Sequence, residues 1–298
     1  MDRRALVGSL FGASAALSYG VTVVIGRELA KARLPPADAL GLRFGIAGVA
    51  LVALLALRRR SVLPTPGERV RVFLFGAVGY AVESAFFYSG LARGTAAAVT
   101  LLFYSYPAVV TVADLVLTRT RPAPSLVLAL ALAAGGAGVI AAGSGTVDIS
   151  GAGVVFSLAA AASFAIYLLA GDRLLHKTDS LRIAAGTAVG ASASLISFAV
   201  ARGQFHVPTD RWGQLLVYGA ATASAFAFMF AALRRLGSQR TSVLLTLEAV
   251  FAIVLVALFL GEGLAGAQAL GGAAVLAAAV IISLTPLRPP VEAAAEPP

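Results

Sequence analysis

The chemically distinctive residues of this sequence are acids inside apolar segments. Glu83 lies in GYAVESAFFYSG, residues 79 to 90, with no Lys or Arg within seven positions. A carboxylate at the centre of a bilayer costs about 2.5 to 3.5 kcal/mol, and keeping the acid protonated at pH 7 costs a similar amount. Both costs fall where the side chain faces water. We therefore expect Glu83 to point into a hydrated cavity.

Aromatic and hydroxyl side chains accompany this acid. Helical spacing places Tyr80, Ser84 and Phe87 on the same side of the segment as Glu83. Rings and a carboxylate together suit an amphipathic solute, although Tyr80 and Ser84 could instead serve only to satisfy Glu83 by hydrogen bonds. The same reasoning gives further candidate solute ligands in other apolar segments: Ser18, Tyr19, Tyr104, Tyr167, Thr222 and Glu248. Serine also suits close helix packing, so Ser18 fits either role.

Two further candidates have open roles. Glu248 lies in the middle of its apolar segment, where an anchoring role within the protein and a solute or proton role fit equally. Pro107 lacks a backbone N–H and leaves the carbonyl of Phe103 without its helical partner. A kink is expected there. The kink could act as a gate, or it could simply bend the helix.

The elements that carry these residues are long apolar blocks. Of the residues, 59% are hydrophobic and 12% are charged, against about 25% charged in ordinary soluble domains. The blocks have the length that a helix needs to cross a membrane, whereas barrel strands would be short and alternating. We predict an all-α integral membrane protein with ten transmembrane helices at 5–26, 37–57, 70–92, 94–117, 124–143, 151–170, 180–200, 212–233, 240–260 and 265–284. The proline-rich tail at 285–298 is predicted to be disordered.

Basic residues orient these helices. With the amino terminus in the cytoplasm, 16 of the 23 Lys and Arg residues fall on the cytoplasmic side. Cytoplasmic loops of membrane proteins carry such an excess of Lys and Arg. We therefore predict a multi-pass protein of the cell (inner) membrane with both termini in the cytoplasm. The positive charge orients the chain, so the lipid bilayer and a small-molecule substrate are the expected partners, and nucleic acid is not. The sequence specifies no oligomeric state.

The sequence argues against an enzyme. It contains no cysteine, and its two histidines, His176 and His206, fall in predicted loops away from any nucleophile. Phosphate-binding and metal-binding motifs are missing as well. We expect no cofactor and no metal.

The chain contains an internal repeat. GRELAK at 26–31 follows the first apolar block, and GDRLLHK at 171–177 follows the sixth. Asp38 and Asp179 come next, each placed to cap the following helix. A shift of 142 residues then aligns the fourth block with the ninth. Each repeat, 1–143 and 151–284, holds five spans. Because five is an odd number, the second repeat begins on the opposite side of the membrane from the first and must be inverted, as in many secondary transporters.

Three motifs carry a resemblance to a known family. LRFGIAG at 42–48, LEAVFA at 247–252 and LGEGLAGAQALG at 260–271, at the expected spans, resemble the EamA type of the drug/metabolite transporter superfamily. The resemblance implies a ten-helix exporter of small metabolites, and the aromatic residues are similar to those of its amino-acid exporters. The expected function is export of amino acids, including aromatic ones, by alternating access through a central cavity between the repeats. Alternatives are a multidrug or lipophilic-cation exporter and a channel.

Overall fold

The computed structural model describes residues 3–118, 122–143, 148–203, 205–260 and 266–284. These residues form helices, and their only extended pairing is an isolated bridge between Gly94 and Ile149. The tail predicted to be disordered lies outside the described residues. The α-helices are α1 Arg3–Lys31, α2 Pro36–Leu57, α3 Arg69–Leu74, α4 Ala81–Leu91, α5 Ala96–Phe103, α6 Tyr106–Thr118, α7 Pro124–Gly143, α8 Gly151–Leu175, α9 Ser180–Ala201, α10 Trp212–Leu245, α11 Leu247–Leu260 and α12 Gly266–Leu284.

Membrane-spanning segments account for nearly all of this structure. Within the described residues, 9 helical segments are long and apolar enough to cross a membrane, and Leu247–Phe259 is a shorter apolar helix. The chain is therefore a multi-pass membrane protein. The structure gives nine such segments where the sequence predicts ten, because the predicted span at 240–260 is divided between α10 and α11.

Breaks at matching positions interrupt the fourth and ninth predicted spans. Helix α5 ends at Phe103, and α10 ends at Leu245, its equivalent 142 residues later. Helix α10 is itself interrupted at Gly237, whose φ of 75° lies in the left-handed region that glycine adopts without steric cost. The residues after Gly237, together with α11, make up the predicted ninth span.

Helices α2 and α9, from equivalent positions in the two repeats, pack against each other over most of their lengths. Gly41 lies against Ile196 near one end, and Gly48 lies against Val189 further along. The residue number falls in α9 as it rises in α2, so the two helices are antiparallel. Glycines at the contact allow the close approach that packing in a membrane favours.

The equivalent helices α7 and α12 are arranged in the same way. Gly143 lies against Gln268, and Gly136 lies against Gly271, which again makes the pair antiparallel. The backbones nearly touch, since a Cβ on Gly136 would come within 2.5 Å of the Gly271 carbonyl oxygen. This contact depends on glycine.

The two predicted helix caps have different outcomes. Asp179 is the N-cap of α9, and its Oδ1 accepts a hydrogen bond of 3.0 Å from the Leu181 N–H, as predicted. The same prediction for Asp38 is wrong, because Pro35 precedes α2 and Asp38 lies within its first turn. Buried Asp38 accepts a 3.1 Å hydrogen bond from the backbone N–H of His206. It therefore ties the start of α2 to the loop before α10.

Replacing Asp179 with alanine is expected to destabilise the protein by about 1 kcal/mol, because the N-cap hydrogen bond is lost. Asp179→Asn keeps a capping oxygen and loses only the ion pairs with Arg60 and Arg234, at 3.5 and 3.4 Å. Partly exposed pairs of this kind contribute little. Thermal unfolding in detergent measures the difference. Equal destabilisation by both variants would show that the ion pairs, and not the cap, stabilise this end.

Candidate functional site

The site is built around an unusual turn in the third span. Between α3 and α4 the chain forms a π-helical turn, Phe75–Tyr80, a rare element that is often found at functional sites. Gly76 in this turn lies against the backbone of Thr187, so no side chain fits there. The turn ends at Tyr80, one helical turn before Glu83. The apolar composition of residues 70–92 predicts a transmembrane helix and gives no sign of this turn.

Glu83 lies inside the protein, with 9% of its surface exposed. Ser84 donates a hydrogen bond of 3.2 Å to Glu83 Oε2. Tyr80, the other expected partner, instead accepts a hydrogen bond of 3.3 Å from Arg43. The carboxylate is thus only partly satisfied by the groups predicted to surround it.

Arg43 also belongs to this region, although it is not among the solute ligands predicted from the sequence. An arginine near the end of a membrane-spanning helix can extend its side chain to the surface, but Arg43 does not, because only 7% of the residue is exposed. Its Nη1 donates a hydrogen bond of 3.1 Å to the Tyr218 hydroxyl, and its guanidinium carbon lies 4.7 and 4.9 Å from the ring centres of Phe44 and Tyr218. A signal was available, since Arg43 lies well inside an apolar block.

Tyr80 and Tyr167 belong to one group of aromatic rings. Their ring centres are 6.0 Å apart in an edge-to-face arrangement. Tyr80 also meets Phe44 at 4.6 Å, and Tyr167 stacks on Phe75 at 4.3 Å. Such pairs stabilise each other beyond simple burial. The hydroxyl of Tyr167 is buried and has no hydrogen-bond partner in the described structure.

Phe87 joins this group through other rings. It meets Phe103 at 5.4 Å, Phe103 meets Phe164 at 5.6 Å, and Phe164 stacks on Tyr167 at 6.0 Å. The structure thus connects three predicted residues from two repeats, Tyr80, Phe87 and Tyr167, through side chains that are not among the predicted ligands. Helical spacing alone could not identify Phe103 and Phe164 as members of this group, because aromatic side chains of membrane helices also face lipid.

The hydroxyl groups predicted in other spans are engaged locally. Ser18 donates to the carbonyl of Ser14 at 2.9 Å, and Thr222 donates to that of Tyr218 at 2.8 Å. Their hydroxyl oxygens can still accept hydrogen bonds. Tyr19 is buried and donates a 3.4 Å hydrogen bond to the sulfur of Met229.

Tyr104 and Pro107 lie at the break between α5 and α6. Tyr104 is buried in the gap, and Pro107 is the second residue of α6, where a missing N–H costs nothing. The interruption occurs where the proline predicted a kink. The next tyrosine, Tyr106, donates a 3.2 Å hydrogen bond to the carbonyl of Ser242 and so joins the two interrupted spans.

Glu248 is the second residue of the corresponding helix, α11, in the second repeat. It is half-buried, and among the described residues no group donates a hydrogen bond to its carboxylate. Both Glu248 and Glu83 are close enough to Arg43 to interact with its charge. The site therefore combines two carboxylates, one guanidinium and a cluster of rings. Nowhere in the described ranges do three His, Asp or Glu side chains group as metal ligands would.

A cavity of about 420 Å³ lies elsewhere, at the end of the bundle predicted to face the cytoplasm. Its lining consists of Arg4, Arg60, Asp179, Ser180, Arg234 and Arg235. None of the predicted solute ligands contributes to it. The charged and aromatic site lies deeper in the protein.

Comparison with known proteins agrees with this architecture. The chain is 32% identical over 146 residues to the threonine/homoserine exporter RhtA of Salmonella typhimurium, in strains LT2 and SL1344. The match covers 48% of this chain and 48% of each relative, so it spans about half the length of these curated proteins. A solved crystal structure of another protein superposes with a TM-score of 0.79 at 20% identity, covering 93% of this chain and 96% of that one. That likeness concerns the fold.

The family assignment comes from both halves of the sequence. The profile of the EamA-like transporter family matches residues 6–142 and matches again at residues 151–284. The double match covers the two predicted repeats almost completely, and the helices that contain Glu83, Arg43 and Glu248 all lie within it. The chain belongs to the EamA-like transporter family.

Proposed function

We propose that this protein is a secondary transporter that exports small amphipathic metabolites, most favourably amino acids including aromatic ones. The observation that carries the proposal is the buried guanidinium of Arg43, which donates a hydrogen bond to Tyr80, one helical turn from buried Glu83, beside clustered rings. Rings can hold an apolar side chain by stacking, and a carboxylate can bind an ammonium group. The relatives named as threonine/homoserine exporters support amino acids as the substrate class.

Alternating access between inverted repeats is the mechanism we propose. The packing of equivalent helices supports it, since α2 with α9 and α7 with α12 are antiparallel pairs. In this arrangement residues 1–143 and 151–284 form two five-helix repeats, and the segments from Ser238 to Leu260 form the ninth of ten spans. Rocking of one repeat against the other would expose the site to each side in turn. Both termini would face the cytoplasm from the inner membrane.

The positions of the side chains support the ligand roles that we propose. Tyr80, Tyr167 and Phe87 provide ring surfaces for the solute, and Glu83 with Glu248 provides the carboxylates. Further contacts are proposed for Ser18, Tyr19, Ser84, Tyr104 and Thr222. Pro107 is proposed as the hinge of a gate, because it lies directly after the break in the fourth span.

Transport by purified protein in liposomes tests this function directly. Vesicles are loaded with unlabelled phenylalanine or threonine, and the exchange of external labelled amino acid is measured. We expect labelled amino acid to accumulate faster than in vesicles without the protein, because a carrier that alternates between its two open states exchanges internal for external solute. Absence of transport under every imposed gradient would contradict the proposal.

A lipophilic-cation exporter is the second candidate, since rings and carboxylates also attract such cations. Competition between phenylalanine and a quaternary ammonium dye separates the two. Inhibition of phenylalanine exchange by the dye, with dye transport of its own, would favour the cation exporter. Exchange of external labelled amino acid for internal unlabelled amino acid would itself exclude a channel, because an open pore does not couple these two opposite fluxes.

A further inference from the structure

Arg43 presents a cation whose hydrogen-bonding capacity is not exhausted by the protein. Tyr218 and Tyr80 accept hydrogen bonds of 3.1 and 3.3 Å from Nη1 and Nη2, which uses two of the five N–H donors of a guanidinium. Nε is buried without a partner. Arg43 and its two partners lie on three helical segments from both repeats: Arg43 is on α2, Tyr80 ends the π-helical turn and Tyr218 is on α10.

The charges around Arg43 are near it but are not paired with it. Among the ion pairs of the described residues, none joins the Arg43 guanidinium to a carboxylate. The carboxyl groups of Glu83 and Glu248 nonetheless interact electrostatically with the guanidinium. A closed ion pair would leave nothing for a solute to bind, whereas separated opposite charges leave both ends of the site open to a partner.

We propose that Arg43 binds the carboxylate of a zwitterionic substrate, while Glu83 or Glu248 binds the ammonium group of the same molecule. This inference rests on the proposed function and assigns its substrate class: α-amino acids, in preference to amines. A planar guanidinium matches a carboxylate in a fork of two hydrogen bonds. A simple cation would be attracted by the carboxylates and repelled by Arg43. Arg43 would then make the transporter selective for amino acids over cations that lack a carboxylate.

The tyrosines orient this guanidinium. Hydrogen bonds to Tyr218 and Tyr80 hold its plane, and the rings of Phe44 and Tyr218 cover it at 4.7 and 4.9 Å. Removing water around the charge strengthens its interaction with a bound carboxylate. A merely structural Arg43 would join α2 to α10 through the same contacts, so the experiment must separate recognition from packing.

The experiment compares three ligands that differ only at the carboxyl group: phenylalanine, phenylalanine methyl ester and phenethylamine. Each competes for exchange of labelled phenylalanine in proteoliposomes. The unaltered protein is expected to prefer phenylalanine over the other two by at least about 30-fold, the effect of losing one partner of a buried charge pair. Equal potency of all three would overturn the role of Arg43 while leaving amino-acid transport intact. No exchange of phenylalanine or threonine would mean that the proposed function itself fails.

Variants then assign the preference to the guanidinium. Arg43→Gln is expected to lose the advantage of phenylalanine while the ester and the amine keep their affinities, measured by ligand-induced thermal shifts if exchange is too slow. Arg43→Lys keeps the charge but not the fork and should recover part of the preference. Arg202→Gln removes an exposed arginine that stacks on Phe198 at 4.7 Å and should change nothing. Equal weakening of all three ligands by both Arg43 variants would show a structural role and overturn the inference.

Discussion

Replacing Glu83 with glutamine is expected to lower amino-acid exchange by at least about 10-fold and to abolish its response to an imposed pH gradient. Glutamine keeps the size of the side chain but cannot bind an ammonium group through charge or carry a proton. A hydrogen bond to a charged group contributes about 1.5 to 3 kcal/mol, and about 1.4 kcal/mol corresponds to a factor of ten in affinity. Uptake of labelled amino acid, with and without a pH difference across the vesicle membrane, measures both effects.

The control for this variant is a carboxylate outside the site. Glu28 forms an ion pair of 2.8 Å with Lys31 at the end of α1, so Glu28→Gln should leave transport unchanged. Glu248→Gln is compared in parallel, because Glu248 is half-buried and could supply the proton instead. If neither Glu83→Gln nor Glu248→Gln alters the pH dependence, proton coupling is excluded, and facilitated diffusion or exchange remains.

Replacing Gly136 with leucine is expected to destabilise the protein by about 1 to 3 kcal/mol or more, the cost of overpacking a close contact. A Cβ at this position would lie 2.5 Å from the Gly271 carbonyl oxygen and 2.9 Å from the Ala274 Cβ. Backbone cannot move aside as a flexible side chain can, so α7 and α12 must separate. Thermal unfolding and the recovery of monodisperse protein in detergent measure the loss.

The adjacent glycine provides a matched control. Gly135 is exposed on the surface of α7, and apart from the backbone of its own helix no atom lies within 4 Å of where its Cβ would be. Gly135→Leu should therefore be neutral or slightly stabilising, because leucine favours helix more than glycine does. Similar losses in both variants would show that helix formation, and not the contact between α7 and α12, is affected. The pair therefore tests the antiparallel packing of equivalent helices.

The membrane character and the repeat could be read from the sequence, because each depends on local composition. A span needs only enough consecutive apolar residues to cover the hydrocarbon. Eight of the ten predicted spans correspond to separate long helical segments, and the predicted span at 212–233 forms the first part of α10. The interruption at Pro107 was also local in origin, since proline lacks a donor whatever surrounds it. The break between α10 and α11 inside the predicted 240–260 span was not visible, because Leu245 and Leu247 on either side of it are apolar.

The site was only partly visible in the sequence, for a physical reason. Glu83 and the tyrosines were identified because an acid in an apolar block must be compensated somewhere. Arg43 also stands inside an apolar block, but its role could not be assigned, because an arginine at that depth can extend its side chain to the surface. The orientation inward depends on Tyr80 and Tyr218, which lie on other helices. The π-helical turn likewise packs against a distant helix, since Gly76 lies against the backbone of Thr187 in α9.

The sequence by itself determined that the protein spans the membrane repeatedly, that its two halves are related, and that acids and rings lie within the apolar layer. These properties follow from the composition and order of residues along single helices. Only the tertiary structure decided which helices meet, that Arg43 turns toward Tyr80 and Tyr218, and that rings from both repeats form one cluster. Contacts between helices depend on matching surfaces from distant parts of the chain, and no local pattern encodes both sides of such a contact.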